Sequence, residues 1–276
     1  MVAFAFALPI QAQWGKDLDT LCPAHLMVMY ELTYREDTNH LDQANTEPMM
    51  LLIGDEISSF QSYTAYRVSK NLRRMMQNRA VISNQEEPIR VNVTSDDIAH
   101  YQYKVYKNYP LGKVSVMDHV FMAGMFLYEE GYPCMTWEYT EDTATIAGRF
   151  TQKAICDYGG RTWEAWFASE LPFNDGPYMF CGLPGLIVKV ADTRGHYCFE
   201  MVSIEILEGM FIVWEDRDYV KTTKKAFFKA YDDNLANIIE NSLERITPAD
   251  GNINDLQHRL YYYAKTKNNP IELDRK

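Results

Sequence analysis

At 276 residues the chain can bury one large core or two modest ones, and with 47% hydrophobic and 13% aromatic residues it has the composition of a folded protein. A net charge of -11 and a pI near 5.0 argue against nucleic-acid binding, which needs a basic footprint. The same charge disfavours electrostatic docking on an anionic membrane. Tyrosine is abundant, at 19 residues against 13 Phe and 5 Trp. A ring with one apolar and one wet end suits half-buried strands first and ligand-facing walls second.

The first residues, Val2 to Ile10, form an apolar run followed by Gln11-Ala12-Gln13. This pattern is that of the apolar core and small-residue end of a secretory signal peptide, with residues 1–13 as its remnant. The alternative is a short hydrophobic first strand. No other apolar stretch reaches the ~20 residues of a membrane-crossing helix, so a soluble exported protein is expected. Five cysteines (Cys22, Cys134, Cys156, Cys181, Cys198) permit two disulfides with one thiol left over, and their spacing has no zinc pattern.

Alternation dominates the rest of the chain, and residues 14–220 read as one antiparallel β domain. Val28, Tyr30, Leu32 and Tyr34 share one face of a strand. Tyr101, Tyr103 and Val105 share a face of another, opposite His100, Gln102 and Lys104. Val68 to Arg79 reads as a helix whose Lys70, Arg73, Arg74 and Arg79 form a solvated face. Trp163, Ala165 and Phe167 oppose Glu164 and Trp166. Tyr197, Phe199 and Met201 oppose Cys198, Val202, Ile204 and Ile206. These later strands are apolar on both faces, which predicts that both faces are covered.

Between them lies a connection dense in backbone-shaping residues: Leu171-Pro172, Asp175-Gly176-Pro177, and Gly182-Leu183-Pro184-Gly185-Leu186-Ile187. Pro184-Gly185 is the recipe for a type II turn, with Gly182 allowing a close backbone approach and Asp175-Gly176-Pro177 a second reversal. This segment is either a rigid fold-defining unit or a preorganised recognition loop. In the second case Trp163, Trp166, Phe173 and Tyr178 would surround a groove, with Arg161 and Asp175 paired or presented to a ligand. A helix capped by Thr222 or Thr223 runs to about Arg245, and another spans Asn254 to Lys265. Residues 221–276 thus read as a helical extension packed on the β domain.

The Gly182–Ile187 hexapeptide, with Gly160-Arg161 and Asp175-Gly176-Pro177 before it and Asn269-Pro-Ile-Glu-Leu273 after, resembles the signature of the GLPGLI family. The likeness runs from about Glu31 to Leu273, with a specific motif only near residues 146–192. That resemblance implies an exported protein of a Bacteroidota-type bacterium, in the periplasm or associated with the outer membrane. It also offers a TonB-dependent outer-membrane transporter as a partner, without any settled activity. Where the resemblance implies a cysteine, this chain has Thr151, so any bridge or ligand role of that cysteine is either lost here or taken by Cys156 or Cys181.

A large curved antiparallel sheet or half-barrel, like that of bacterial lipoprotein carriers, with a few helices is the expected fold; a β-sandwich is the alternative. Six scattered histidines and the absence of GxSxG, P-loop or dinucleotide motifs give no catalytic residue, metal site or cofactor. The expected function is non-enzymatic binding of an apolar or peptide-like ligand or of an envelope partner. A hydrolase or redox enzyme, with Arg161, Asp175 and His196 converging, and a structural or assembly protein are the alternatives.

Overall fold

A computed structural model describes residues 18–82, 94–121, 123–132, 135–243 and 252–275. The apolar run of residues 2–10 and the cleavage end at Ala12 and Gln13 lie outside the described residues. Among those described, twelve strands form one open curved sheet, so the sandwich alternative falls. The strands are β1 (Leu18–Tyr34), β2 (Asn45–Ile53), β3 (Ser58–Ser62), β4 (Lys104–Lys107), β5 (Lys113–Val120) and β6 (Gly124–Gly131). They continue as β7 (Glu138–Ile146), β8 (Arg149–Tyr158), β9 (Arg161–Ala168), β10 (Leu186–Asp192), β11 (Tyr197–Glu215) and β12 (Val220–Lys221). Their spatial order is 12-6-5-4-3-2-1-11-10-9-8-7. All neighbours are antiparallel except β12, which adds two residues in parallel to β6.

β1 and β11 hold the centre. Their pairing runs from Leu18–Glu215 to Tyr34–Tyr197 and is broken by three register shifts. Bulges of this kind increase local twist, and the far end of the ribbon curls over β4 and β5. There Trp214 packs 4.9 Å from Tyr106, whose hydroxyl donates to the Val213 carbonyl at 2.6 Å. With Met50, Leu52, Met117 and Ile212 these rings form a core on one side of the sheet, flanked by helix α1 (Tyr63–Ile82) through Tyr63 and Tyr66.

The larger core fills the other side. Val28, Tyr30, Leu32 and Tyr34 all point into it, as the alternation of β1 predicts, and so do Trp163, Ala165 and Phe167 of β9. The connection 169–185 lies across this face rather than projecting from it, and contributes Tyr178, Met179, Phe180 and Leu183. Helix α2 (Lys224–Ala236) closes over the sheet with Phe227 and Phe228. Thr223 caps it, its side chain accepting from the Ala226 N–H at 3.2 Å. The predicted single helix to Arg245 is broken at Asn237 into α2 and α3 (Ile238–Leu243). Helix α4 (Ile253–Thr266) comes next, packing on α3 through Leu256 and Leu260, before the chain returns to the sheet as a tail.

Two strand expectations change. The residues Tyr101 to Tyr103 precede β4 instead of belonging to it, because the Glu47 carboxylate captures the backbone N–H groups of His100 and Tyr101, both at 3.1 Å. The second face of β11 is not covered: Val202 and Ile206 are 69% and 82% exposed.

Candidate functional site

The residues singled out from sequence fall into a packed half of the inner face. Trp163 is fully buried, its ring 4.7 Å from Phe180 and its indole N–H donating to the Tyr158 carbonyl at 3.0 Å. Phe173 is half-buried against the same core. Trp166 is half-buried too, with the Lys153 ammonium 5.5 Å above its ring.

Arg161 and Asp175 do not pair. Arg161 binds Asp192 at 2.8 Å and donates to the Ile271 and Pro270 carbonyls (2.9 and 2.7 Å) and to Asn269 Oδ1 at 2.6 Å. It therefore clasps the C-terminal tail to the sheet, with Tyr197 beneath its guanidinium. Asp175 instead binds the buried Lys107 of β4 at 2.5 Å. The same ammonium donates to the Gly176 and Phe180 carbonyls, at 2.5 and 3.0 Å. His196 stands 3.4 Å from Arg161, so it and Arg161 meet, while Asp175 is held by Lys107. Lys107 was invisible to sequence reasoning: a Lys inside a short strand carries no mark that its head group turns inward.

The turn chemistry is also redistributed. Gly182, not Gly185, takes positive φ, at 91°. Gly185 is the point of close approach, since a Cβ there would sit 2.4 Å from the Ala168 carbonyl oxygen. Gly185 N–H donates to the Leu183 carbonyl at 2.8 Å, a three-residue γ-turn centred on Pro184 rather than a type II turn. A matching bond from Phe173 N–H to the Leu171 carbonyl at 2.7 Å centres a second such turn on Pro172. Thr151, where the family resemblance suggested a missing cysteine, is buried and donates to the Ala144 carbonyl at 2.8 Å.

Tyr178 links this half to the other. Its φ of 51° is unusual for a non-glycine residue. It is held by its hydroxyl, which donates to the buried Glu272 carboxylate at 2.5 Å, and Lys224 pairs with the same carboxylate at 2.7 Å. Burial pushes the Tyr178 hydroxyl's pKa well above its ordinary value, and the nearby Glu272 charge adds to this.

Beyond Tyr178 the packing opens into a cavity of about 200 Å³ between the inner face of β5 and β6, the segment 100–103, helices α2–α4 and the tail. Seven tyrosines line it. Tyr101, Tyr103, Tyr128 and Tyr178 come from the sheet side, Tyr197 from β11, and Tyr231 and Tyr263 from the helices. Two polar groups are left over on its walls. Tyr103 is buried to 5% exposure, and its hydroxyl has no hydrogen-bond partner among the described residues. Asp118 of β5 accepts one hydrogen bond, from the His119 backbone N–H at 2.7 Å, and no cation forms an ion pair with it among the described residues. Burial pushes its carboxyl pKa up to about 7, and only the more distant Arg275 acts with that hydrogen bond against the shift. Its charge is felt by Tyr103, Tyr128, Tyr231 and Tyr263, which line the same cavity. Burial likewise lowers the pKa of His119 beside it.

Among the described residues, the lysine and the arginine on these walls each have a carboxylate: Lys267 binds Glu36, and Arg275 binds Asp232 at 2.8 Å. Sequence reasoning missed Asp118, although a signal existed: Val114, Val116 and Val120 occupy one face of β5, and Asp118 breaks that apolar alternation. Among the described residues no group of three His, Cys, Asp or Glu side chains is placed to hold a metal ion. Cys22 and Cys198 are half-buried thiols whose pKa values burial pushes up.

A curved open sheet with its inner face closed by a connection, helices and tail is the class this architecture defines. Within it, residues 140–189 match the model of a family described as "Protein of unknown function (Porph_ging)", a range that spans most of β7, β8, β9, the connection and the start of β10. No curated protein matches the chain. Among solved structures it is similar to PNGF-II, in a P21 and a C2 crystal form, with 12% identity and a TM-score of 0.50 in each case. That likeness covers 76% of this chain and 33% of PNGF-II, so the chain spans about a third of that protein's length. It is also similar to an uncharacterized conserved protein from Thermus thermophilus, at 7% identity and a TM-score of 0.34, covering 72% of this chain and 91% of the other. The PNGF-II likeness concerns the fold alone.

Proposed function

We propose that the chain is a non-enzymatic, exported cell-envelope protein of the GLPGLI family that holds a small apolar or peptide-like ligand in its tyrosine-lined cavity. The observation behind this reading is the contrast in polar satisfaction. Buried polar groups are normally paired, and a cavity wall that keeps an unpartnered phenol and an unpaired carboxylate is a place where a ligand completes the network. Rings that are apolar with a polar rim suit a ligand that is part hydrocarbon and part hydrogen-bonding. The apolar run of residues 2–10 supports export to the periplasm or the outer membrane, where a TonB-dependent transporter is the partner this reading offers.

Native mass spectrometry of the protein purified from its own envelope tests the reading. A bound molecule small enough for the cavity is expected. It should be lost in Val116→Phe, which fills the cavity from β5. Protein that carries no adduct in either form would sink the proposal. The exposed Val202 and Ile206 on β11 favour a second reading, an assembly surface for another envelope protein. Cross-linking from Ile206→Cys in intact cells that captured only the monomer would remove it.

A further inference from the structure

We propose that the cavity selects an organic ammonium ion, an amine carried on a small ring or short apolar chain, with Asp118 as its counter-ion and tyrosine rings as its walls. The inference rests on the ligand-binding reading above and narrows the ligand class. Charge pairing on the walls leads to it. Lys267 and Arg275 each meet a carboxylate, and among the described residues Asp118 forms no ion pair with a cation. What remains uncompensated is one half-buried negative group on a wall of phenol rings.

An enclosed carboxylate is costly without a counter-charge. The protein leaves this one without an ion-pair partner while pairing the cations around it. An ammonium supplies both the missing charge and N–H donors, and the Tyr103 hydroxyl, itself without a partner, is one acceptor for them. Aromatic rings add to this, because their negative faces attract cations, most strongly where water is excluded. The fold already uses that attraction nearby. The Arg275 guanidinium stands 4.8 Å from the Phe228 ring centre and 5.1 Å from that of Tyr231, both on the cavity wall. An anion is disfavoured by Asp118. A neutral ligand gains the rings and loses the ion pair.

Asp118 shares the cavity wall with His119 on β5, Tyr103 before β4, Tyr128 on β6, Tyr231 on α2, Tyr263 on α4 and Arg275 in the tail. Of these Arg275 alone is charged near neutral pH, and Asp232 binds it.

Isothermal titration calorimetry of the whole protein at pH 8 compares 2-phenylethylammonium with 2-phenylethanol, which share a ring and chain and differ in charge. The ammonium is expected to bind about tenfold tighter or better, the range a desolvated cation gains from an aromatic wall and one ion pair. Asp118→Asn should erase the preference and leave alcohol binding within about threefold. Equal affinities in the wild-type protein, or tighter binding of the alcohol, would overturn the ammonium inference while leaving the cavity a binding site. A preference that survives in Asp118→Asn overturns the role of Asp118. Binding of neither compound overturns the inference, and a ligand still found by native mass spectrometry would then keep the broader reading alive.

Discussion

The two halves of the inner face are built from the same material and end in opposite states. Around the Gly182–Ile187 connection, aromatic rings pack to nearly zero exposure, and each buried charge named there has a partner: Arg161 with Asp192, and Lys107 with Asp175. Under the helices, rings of the same kind stand around about 200 Å³ of space, with Asp118 and the Tyr103 hydroxyl unpaired. Aromatic content therefore does not distinguish a core from a site. Unpartnered buried hydroxyls occur in the packed sheet as well, at Tyr34 and Ser58, so what marks the site is a carboxylate without an ion-pair partner beside open space.

The comparison can be broken most forcefully in the packed half. Lys107→Met leaves the Asp175 carboxylate buried with only its own Gly176 N–H as donor, and should cost about 3–5 kcal/mol of stability. Adding Asp175→Asn should recover most of that loss, since an uncharged pair tolerates the apolar surroundings. Urea midpoints of the single and double variants check this. A single variant as stable as the wild type would show that the pair is not the anchor of the connection.

The cavity half should respond in the opposite direction. The Asp118 carboxyl pKa, raised from an ordinary 3.8 to about 7, means the folded chain holds a proton that the unfolded chain has released between those values. Stability is then full below the unfolded value and falls as pH rises through the window, levelling off above pH 7. Asp118→Asn keeps the acceptor for the His119 N–H and removes the charge. Its stability should match the wild type near pH 4 and exceed it at pH 8 by roughly 1–3 kcal/mol, a range reduced for the carboxylate's partial contact with solvent. Denaturation at the two pH values decides it. Loss of stability at pH 8 would reveal a counter-charge on Asp118.

How much of this was legible in the sequence depends on what each signal reports. Alternation reports a face, so the inner residues of β1 and β9 were readable, but it left a curved sheet and a sandwich both open until the strand order decided between them. Pro and Gly report backbone shape, so the connection 169–185 was recognisable as rigid. They do not say which glycine bends and which one yields space, and Gly182 and Gly185 exchanged those roles. Nor does a loop's composition tell whether it projects or folds inward. Partners distant in sequence were the least legible: Lys107 with Asp175 and Arg161 with the 269–271 tail depend on sheet order. Asp118 was within reach, as a charged residue at an apolar position of a strand.

The finest test compares two phenols that differ only in partnership. Tyr178 donates to Glu272, so Tyr178→Phe removes a charge-assisted hydrogen bond and leaves the carboxylate with less, at a cost of about 1.5–3 kcal/mol. Tyr103→Phe removes a hydroxyl that has no partner, so the ligand-free protein should be unchanged or stabilised by up to ~1 kcal/mol. The sign matters more than the size. If Tyr103→Phe destabilises as Tyr178→Phe does, the Tyr103 hydroxyl is satisfied within the protein and the two halves are alike. If it stabilises the ligand-free protein while weakening 2-phenylethylammonium, the hydroxyl is held in reserve for a ligand. That pairing of gain and loss is what a hydroxyl satisfied only by a bound ligand produces, since its removal relieves the free protein and takes a hydrogen bond from the complex.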